Sequence, residues 1–154
     1  MVKPAVLFVC LGNICRSPLA EAAFRQQASA AGLDVLVDSA GTADYHVGEP
    51  PDPRAIRTAL RFGMDMADYR GRQVSADDFV RFTHIFVADR SNLLNLHRVA
   101  PQDHAAQIGL LLDLIPGREG MDLTDPWYGD EAGFLETWSD VSAAARHLVA
   151  LLER

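Results

Sequence analysis

The sequence predicts an α/β fold with a parallel sheet covered on both faces. Three observations carry this. Val6 to Val9 and His84 to Ala88 are short apolar runs rich in β-branched and aromatic residues, the pattern of strands buried on both sides. Segments of helical periodicity alternate with such runs, as in strand–helix–strand crossovers. The loops after Cys10, Ser39 and Asp89 all follow strands. A parallel sheet places them at one end, where ligands bind in α/β folds.

The first strand ends at Cys10. Leu11 to Arg16 is a six-residue loop holding Gly12 and Asn13, the residue types most tolerant of left-handed backbone. Ser17-Pro18 then opens a helix, with Ser17 as N-cap and Pro18 at the first helical position. Leu19, Ala22, Ala23, Phe24 and Ala28 follow at helical spacing, and Gly32 ends the helix. Leu33 to Asp38 reads as the second strand and Ser39-Ala40-Gly41-Thr42 as a turn. Positions 43 to 53 form a proline-stiffened loop with Tyr45 and His46. Arg54 to Phe62 is a helix stopped by Gly63, 64 to 73 is irregular, and Ser75 caps a short helix. Asp89 leads a helix containing Leu93, Leu94 and Leu96. Ile108 to Leu112 is the fourth strand. Asp125 to Asp130 is a turn, and Glu131 to Glu153 is the closing amphipathic helix. Its stripe of Val141, Ala144, Ala145, Leu148, Leu151 and Leu152 faces the core.

With 154 residues and no linker, repeat or low-complexity segment, positions 1 to 154 form one domain. The net charge of −7 argues against nucleic acid or an anionic membrane as partner. The start shows no signal pattern and no apolar run is long enough to span a bilayer, so the expected location is cytoplasmic. Cys10 and Cys15 are the only cysteines. Too few and too close for a disulfide scaffold, they read as catalytic or redox-active. The five histidines show no ligand spacing, which predicts surface or loop roles and no metal.

The opening loop suits an anion beside a nucleophile. A helix N-terminus, loop N–H groups and Arg16 favour a thiolate at Cys10, and Ser17 can donate to its sulfur. The same donors fit the non-bridging oxygens of a phosphoryl group. A bare Cys-x5-Arg recurs by chance in an arginine-rich chain. The strand before it, Gly and Asn within it and Ser-Pro after it set this one apart. It lacks the Walker pattern, which argues against nucleotide hydrolysis. A leaving oxygen needs a general acid. Asp125 is the choice, stiffened by Pro126 and followed by Trp127 and Tyr128, two aromatics able to wall a slot.

The motifs Val9-Cys10-Leu11-Gly12-Asn13-Ile14-Cys15-Arg16-Ser17-Pro18, Asp38-Ser39-Ala40-Gly41-Thr42, His46-Val47-Gly48, Pro51-Asp52-Pro53-Arg54-Ala55, Arg72-Gln73-Val74 and Asp125-Pro126-Trp127-Tyr128 occur in order along the chain. Together they resemble the low-molecular-weight protein tyrosine phosphatases. That resemblance implies a three-layer αβα, flavodoxin-like fold with a four-stranded parallel sheet in order 2-1-3-4, and hydrolysis of phosphotyrosine without a cofactor. It implies Cys10 as the nucleophile forming a phosphocysteine, Arg16 as the phosphate-binding residue, and Asp125 as general acid and then base. It further implies a phosphate-binding loop of Leu11, Gly12, Asn13, Ile14, Cys15 and Ser17, with Asn13 supported by Ser39 and by the network containing Tyr69. Leu11, Ile14, Tyr45, Trp127 and Tyr128 line the substrate slot, and Cys15 is able to form a reversible disulfide with Cys10. The implied partner is a phosphotyrosine protein, such as a bacterial tyrosine kinase or, after secretion without a signal peptide, a host protein. The implied state is a monomer.

Three departures stand out. Tyr69 replaces a usual histidine, so its hydroxyl either takes over the support of Asn13 or leaves the loop looser. Ala88 precedes Asp89 where methionine is common, and Trp127 stands where tyrosine is usual. Three rivals share part of this pattern. Thioredoxin-coupled arsenate reductase needs a further resolving cysteine, and residues 84 to 98 contain none. Arginine phosphatases carry a smaller polar residue in place of Ile14. A non-catalytic phosphotyrosine-binding or redox-sensing module has no need of Asp125.

Overall fold

The computed structural model describes residues 3–154. Four parallel strands, β1 (Ala5–Cys10), β2 (Leu36–Gly41), β3 (His84–Val87) and β4 (Gln107–Leu110), form one sheet in the order β2-β1-β3-β4. Around it lie α1 (Arg16–Ala30), α2 (Pro53–Arg61), α3 (Asp78–Arg81), α4 (Arg90–Val99) and α5 (Glu131–Leu152). Two 3₁₀ turns occupy Leu111–Leu114 and Pro126–Tyr128.

Strand β1 is buried throughout because its two faces serve two cores. Val6, Phe8 and Cys10 pack with Leu19 and Phe24 of α1, Ala55 and Ala59 of α2, and Phe134, Val141 and Leu148 of α5. Ala5, Leu7 and Val9 point the other way, to Phe79 of α3 and Leu96 of α4. The strand period of two divides the run between the layers. The expected three-layer architecture and strand order are those observed.

Local boundaries depart from the sequence expectations in instructive ways. Helix α1 begins at Arg16, with Cys15 as N-cap, and Ser17 makes no capping bond. The Ser17 hydroxyl is engaged elsewhere, at the Cys10 sulfur. Strand β2 starts at Leu36 and runs through the supposed turn, pairing Phe8 with Ser39, Val9 with Ala40 and Cys10 with Gly41. The small residues there serve close packing: a Cβ at Gly41 would lie 2.7 Å from the Leu11 carbonyl oxygen. Ser75 does not cap α3 with its side chain; its N–H donates to Asp78 Oδ2 at 2.8 Å. Strand β4 ends at Leu110, where the chain tightens into the first 3₁₀ turn. Leu151 is 41% exposed and falls outside the core stripe of α5. Among the described residues no helix is long and apolar enough to cross a membrane.

Candidate active site

Cys10 is the last residue of β1, one of the two inner strands, and the chain turns sharply after it. Asn13 makes the turn with φ +58°, a left-handed conformation asparagine tolerates better than most residues. Three loop carbonyls are bound by neighbours: Cys10 accepts from Thr42 N–H, Leu11 from Ala43 N–H and Ile14 from Asp52 N–H. The loop is thereby fixed against the β2–α2 segment. The first N–H groups of α1, free of intrahelical partners, open toward it.

The Cys10 sulfur is buried and lies 3.0 Å from Ser17 Oγ, and the Asn13 N–H donates to it at 3.3 Å. Asn13 fixes this arrangement with its side chain. Its amide donates to Ser17 Oγ at 2.8 Å and to Ser39 Oγ at 3.0 Å, while its oxygen accepts from Arg72 N–H at 3.1 Å. Ser17, receiving from Asn13, directs its own hydrogen to the sulfur or to the Ala40 carbonyl, and the sulfur is nearer. Ser39 passes its hydrogen to Glu21 Oε1 at 2.7 Å, and Arg25 closes the chain on the other Glu21 oxygen at 2.8 Å. Burial raises the Glu21 carboxyl above its ordinary value despite Ser39 and Arg25.

Ser39 touches Asn13 directly, whereas Tyr69 stands beside Arg25 at the far end of the same series of hydrogen bonds: among the described residues no hydrogen bond joins Tyr69 to Asn13. Arg72 fills that place through its main chain. Its side chain is braced by Asp38 at 3.0 Å and by both oxygens of Asp78. Burial pushes the Tyr69 hydroxyl up to about 12, so it stays protonated beside the Glu21 network.

Arg16 is buried, the first residue of α1. One terminal nitrogen donates to Asp89 Oδ2 at 2.7 Å and to the Leu123 carbonyl at 3.0 Å. The other lies 3.7 Å from Asp125 Oδ2. Burial opposes the Arg16 charge, but Cys10, Asp89 and Asp125 more than offset that and hold it protonated. Asp89, at the end of β3, caps α4 with its second oxygen. Sequence reasoning missed it as a partner of Arg16. The available signal was an acid at a strand's carboxyl end, beside the loop of the adjacent strand. Asp125 Oδ1 accepts from Trp127 N–H at 3.0 Å, leaving Oδ2 toward the guanidinium.

These groups share one pocket of about 220 Å³. Cys10, Arg16 and Asp125 form its polar part, with Gly12 and Cys15 also at its wall. Leu11, Ile14, Tyr45, Trp127 and Tyr128, all expected at the slot, are all there. Tyr45 and Tyr128 are 69% and 88% exposed and stand at the rim. His46, in the loop expected to hold it, also lines the pocket, a site role the sequence did not signal. Its Nδ1 is hydrogen-bonded to Glu49 and its ring lies 6.5 Å from that of Trp127. Cys10 and Cys15 are both buried and unbridged. Burial, with Asp52 nearby, pushes the Cys15 thiol up well above the ordinary thiol range.

The profile of the low molecular weight phosphotyrosine protein phosphatases matches residues 5–154. Over 132 residues the chain is 43% identical to the low molecular weight phosphotyrosine protein phosphatase of Schizosaccharomyces pombe, covering 84% of each chain. Among solved structures it resembles a protein tyrosine phosphatase from Entamoeba histolytica with Hepes in the active site. The TM-score is 0.91 and the identity 34%, covering 98% of this chain and 97% of that one. It also resembles DARP, a drosophila arginine phosphatase, with TM-score 0.91 and 32% identity over 97% of this chain and 98% of that one.

Proposed function

The chain belongs to the low molecular weight phosphotyrosine protein phosphatase family, and on that premise we propose that it hydrolyses protein phosphotyrosine through a phosphocysteine on Cys10. The observation that carries this reading is the convergence of the Cys10 sulfur, Arg16 and Asp125 in one aromatic-walled pocket. The substrate's phenyl ring lies between Tyr45, Trp127 and Ile14. Its phosphoryl oxygens meet the loop N–H groups and the Arg16 guanidinium. Cys10 attacks phosphorus as the thiolate, opposite the ester oxygen. The sulfur–phosphorus bond forms as the phosphorus–oxygen bond breaks. The protonated Asp125 gives its hydrogen to the departing phenolate. The resulting carboxylate takes a proton from water, whose oxygen attacks phosphorus and restores the thiolate, releasing phosphate. Positioning and charge stabilisation dominate such transfers, and the loop offers both. The cycle balances without metal, cofactor or reductant.

Ile14 favours an aromatic phosphate ester over phosphoarginine, because it places an apolar surface against the ring. Cys15 serves as a resolving thiol: once an oxidant converts Cys10 to a sulfenic acid, Cys15 displaces water and forms a disulfide that thiols reverse. The expected setting is a reducing, cytoplasmic compartment, with the domain acting as a monomer.

The deciding experiment measures hydrolysis of p-nitrophenyl phosphate, a phosphotyrosyl peptide and a phosphoarginyl peptide at mildly acidic pH. Activity on the first two that vanishes in Cys10→Ala is the expected result. Full activity in Cys10→Ala, or preference for phosphoarginine, overturns the reading.

A further inference from the structure

The acid loop has few attachments to the rest of the molecule. Trp127, Tyr128, Gly129 and Asp130 are all exposed, and only Pro126 is buried. Arg16 approaches Asp125, and among the described residues one side chain from outside the loop hydrogen-bonds its carbonyls. Arg54, at the start of α2, donates to the Trp127 carbonyl at 3.3 Å and to the Gly129 carbonyl at 3.2 Å. Its guanidinium stands 5.4 Å from the centre of the Trp127 ring and 4.7 Å from that of Phe134.

Arg54 is itself held rigidly. Its Nε reaches Asp52 Oδ1 at 3.0 Å and its Nη2 reaches Asp52 Oδ2 at 2.9 Å, a two-pronged pairing with a buried carboxylate. Burial opposes the Asp52 charge, but Arg54 outweighs it and holds the carboxyl below its ordinary value. Asp52 in turn donates its N–H to the Ile14 carbonyl of the phosphate-binding loop at 2.9 Å. A continuous series of hydrogen bonds therefore runs from Ile14 through Asp52 and Arg54 to Trp127. The main chain of Trp127 orients Asp125 from its other side, because the Trp127 N–H donates to Asp125 Oδ1.

We infer that Arg54 is a positioning residue for Asp125: it ties the acid loop to the nucleophile loop and so sets the reach of the acid to the leaving oxygen. It touches neither substrate nor phosphoryl group. The inference rests on the reading of Asp125 as general acid. Arginine is required because one planar fork must serve a carboxylate and two carbonyls at once. Lysine can neutralise Asp52 but cannot hold both carbonyls.

The test compares kcat/KM for aryl phosphates whose phenols differ in acidity, using the full chain, Arg54→Lys, Arg54→Gln, Asp125→Asn and the double variants. A misplaced acid matters most where the leaving phenolate is basic. Both Arg54 variants are expected to lose about tenfold to a hundredfold on the most basic leaving groups and little on the most acidic. That loss should disappear in the Asp125→Asn background, where no acid remains to be placed. Thermal midpoints are measured alongside. An equal loss across the series, a loss that persists without Asp125, or failure of both Arg54 variants to fold makes Arg54 merely structural and overturns the inference. If Asp125→Asn alone shows no dependence on the leaving group, the acid assignment itself fails, a result distinct from failure at Arg54.

Discussion

The Ser17 hydroxyl oxygen lies 3.0 Å from the Cys10 sulfur, with Asn13 donating to that hydroxyl from behind at 2.8 Å. The contact links the end of β1 to the first turn of α1. It also orients a hydroxyl at the proposed nucleophile before any substrate arrives. A hydrogen bond to a charged partner contributes about 1.5–3 kcal/mol. Ser17→Ala is therefore expected to lower kcat by about tenfold to a hundredfold and to slow alkylation of Cys10 by iodoacetamide at mildly acidic pH. Unchanged alkylation would remove Ser17 from the activation of the sulfur.

Arg16 is oriented by Asp89 as well as by burial. Arg16→Lys keeps a cation but loses the fork, and kcat should fall by about a hundredfold or more, as for loss of a preorganised charge donor. Asp89→Asn keeps an oxygen able to cap α4 but removes the charged partner of Arg16. Its kcat should fall by about tenfold with a nearly unchanged thermal midpoint. A large fall in the midpoint instead would mark Asp89 as chiefly a helix cap.

Support for the loop separates two neighbours of similar appearance. Asn13→Ala removes three hydrogen bonds, two of them buried, and a side chain suited to positive φ, and should cost about 2–4 kcal/mol of stability with a clear loss of activity. Tyr69→Phe removes a hydroxyl that lies beside Arg25, at the outer end of the network, and does not reach Asn13, so kcat should stay within about twofold. A loss in Tyr69→Phe comparable to that in Asn13→Ala would return Tyr69 to the loop's support.

Glu21 links pH to stability. Burial raises its carboxyl above the ordinary 4.5. The folded protein thus favours the protonated form, and the stability that gives is complete below 4.5 and is lost as pH rises through the raised value. Glu21→Gln removes this dependence. In unfolding midpoints taken across that range, the difference between variant and parent should move in the variant's favour as pH rises. A constant difference would exclude Glu21 as a titrating group there.

Much of this architecture is legible along the chain because it depends on local pattern. The apolar runs of β1 and β3 and the spacing of α1 and α5 reflect burial that each segment must find somewhere. Cys10, Arg16 and Ser17 lie within eight positions of one another and share one turn, so their association follows from strand, loop and helix geometry alone. Asp125, the proposed acid, stands out by the proline and aromatics that follow it.

Other features had no local signature. Ser39-Ala40-Gly41 has the composition of a turn, yet it is strand, because β1 supplies its hydrogen bonds and the phosphate-binding loop passes over Gly41 too closely for a side chain. His46 looked like an ordinary loop histidine until packing set it beside Trp127. Sequence by itself determined the layered fold and the loop from Cys10 to Ser17, since both follow from periodicity and neighbouring residues. Tertiary structure alone decided which groups brace that loop and the segment after Asp125: Asp89 on Arg16, Arg72 on Asn13, and Arg54 on the carbonyls around Trp127. Those contacts join residues more than fifty positions apart, and only the docking of separate strands and helices fixes such distances.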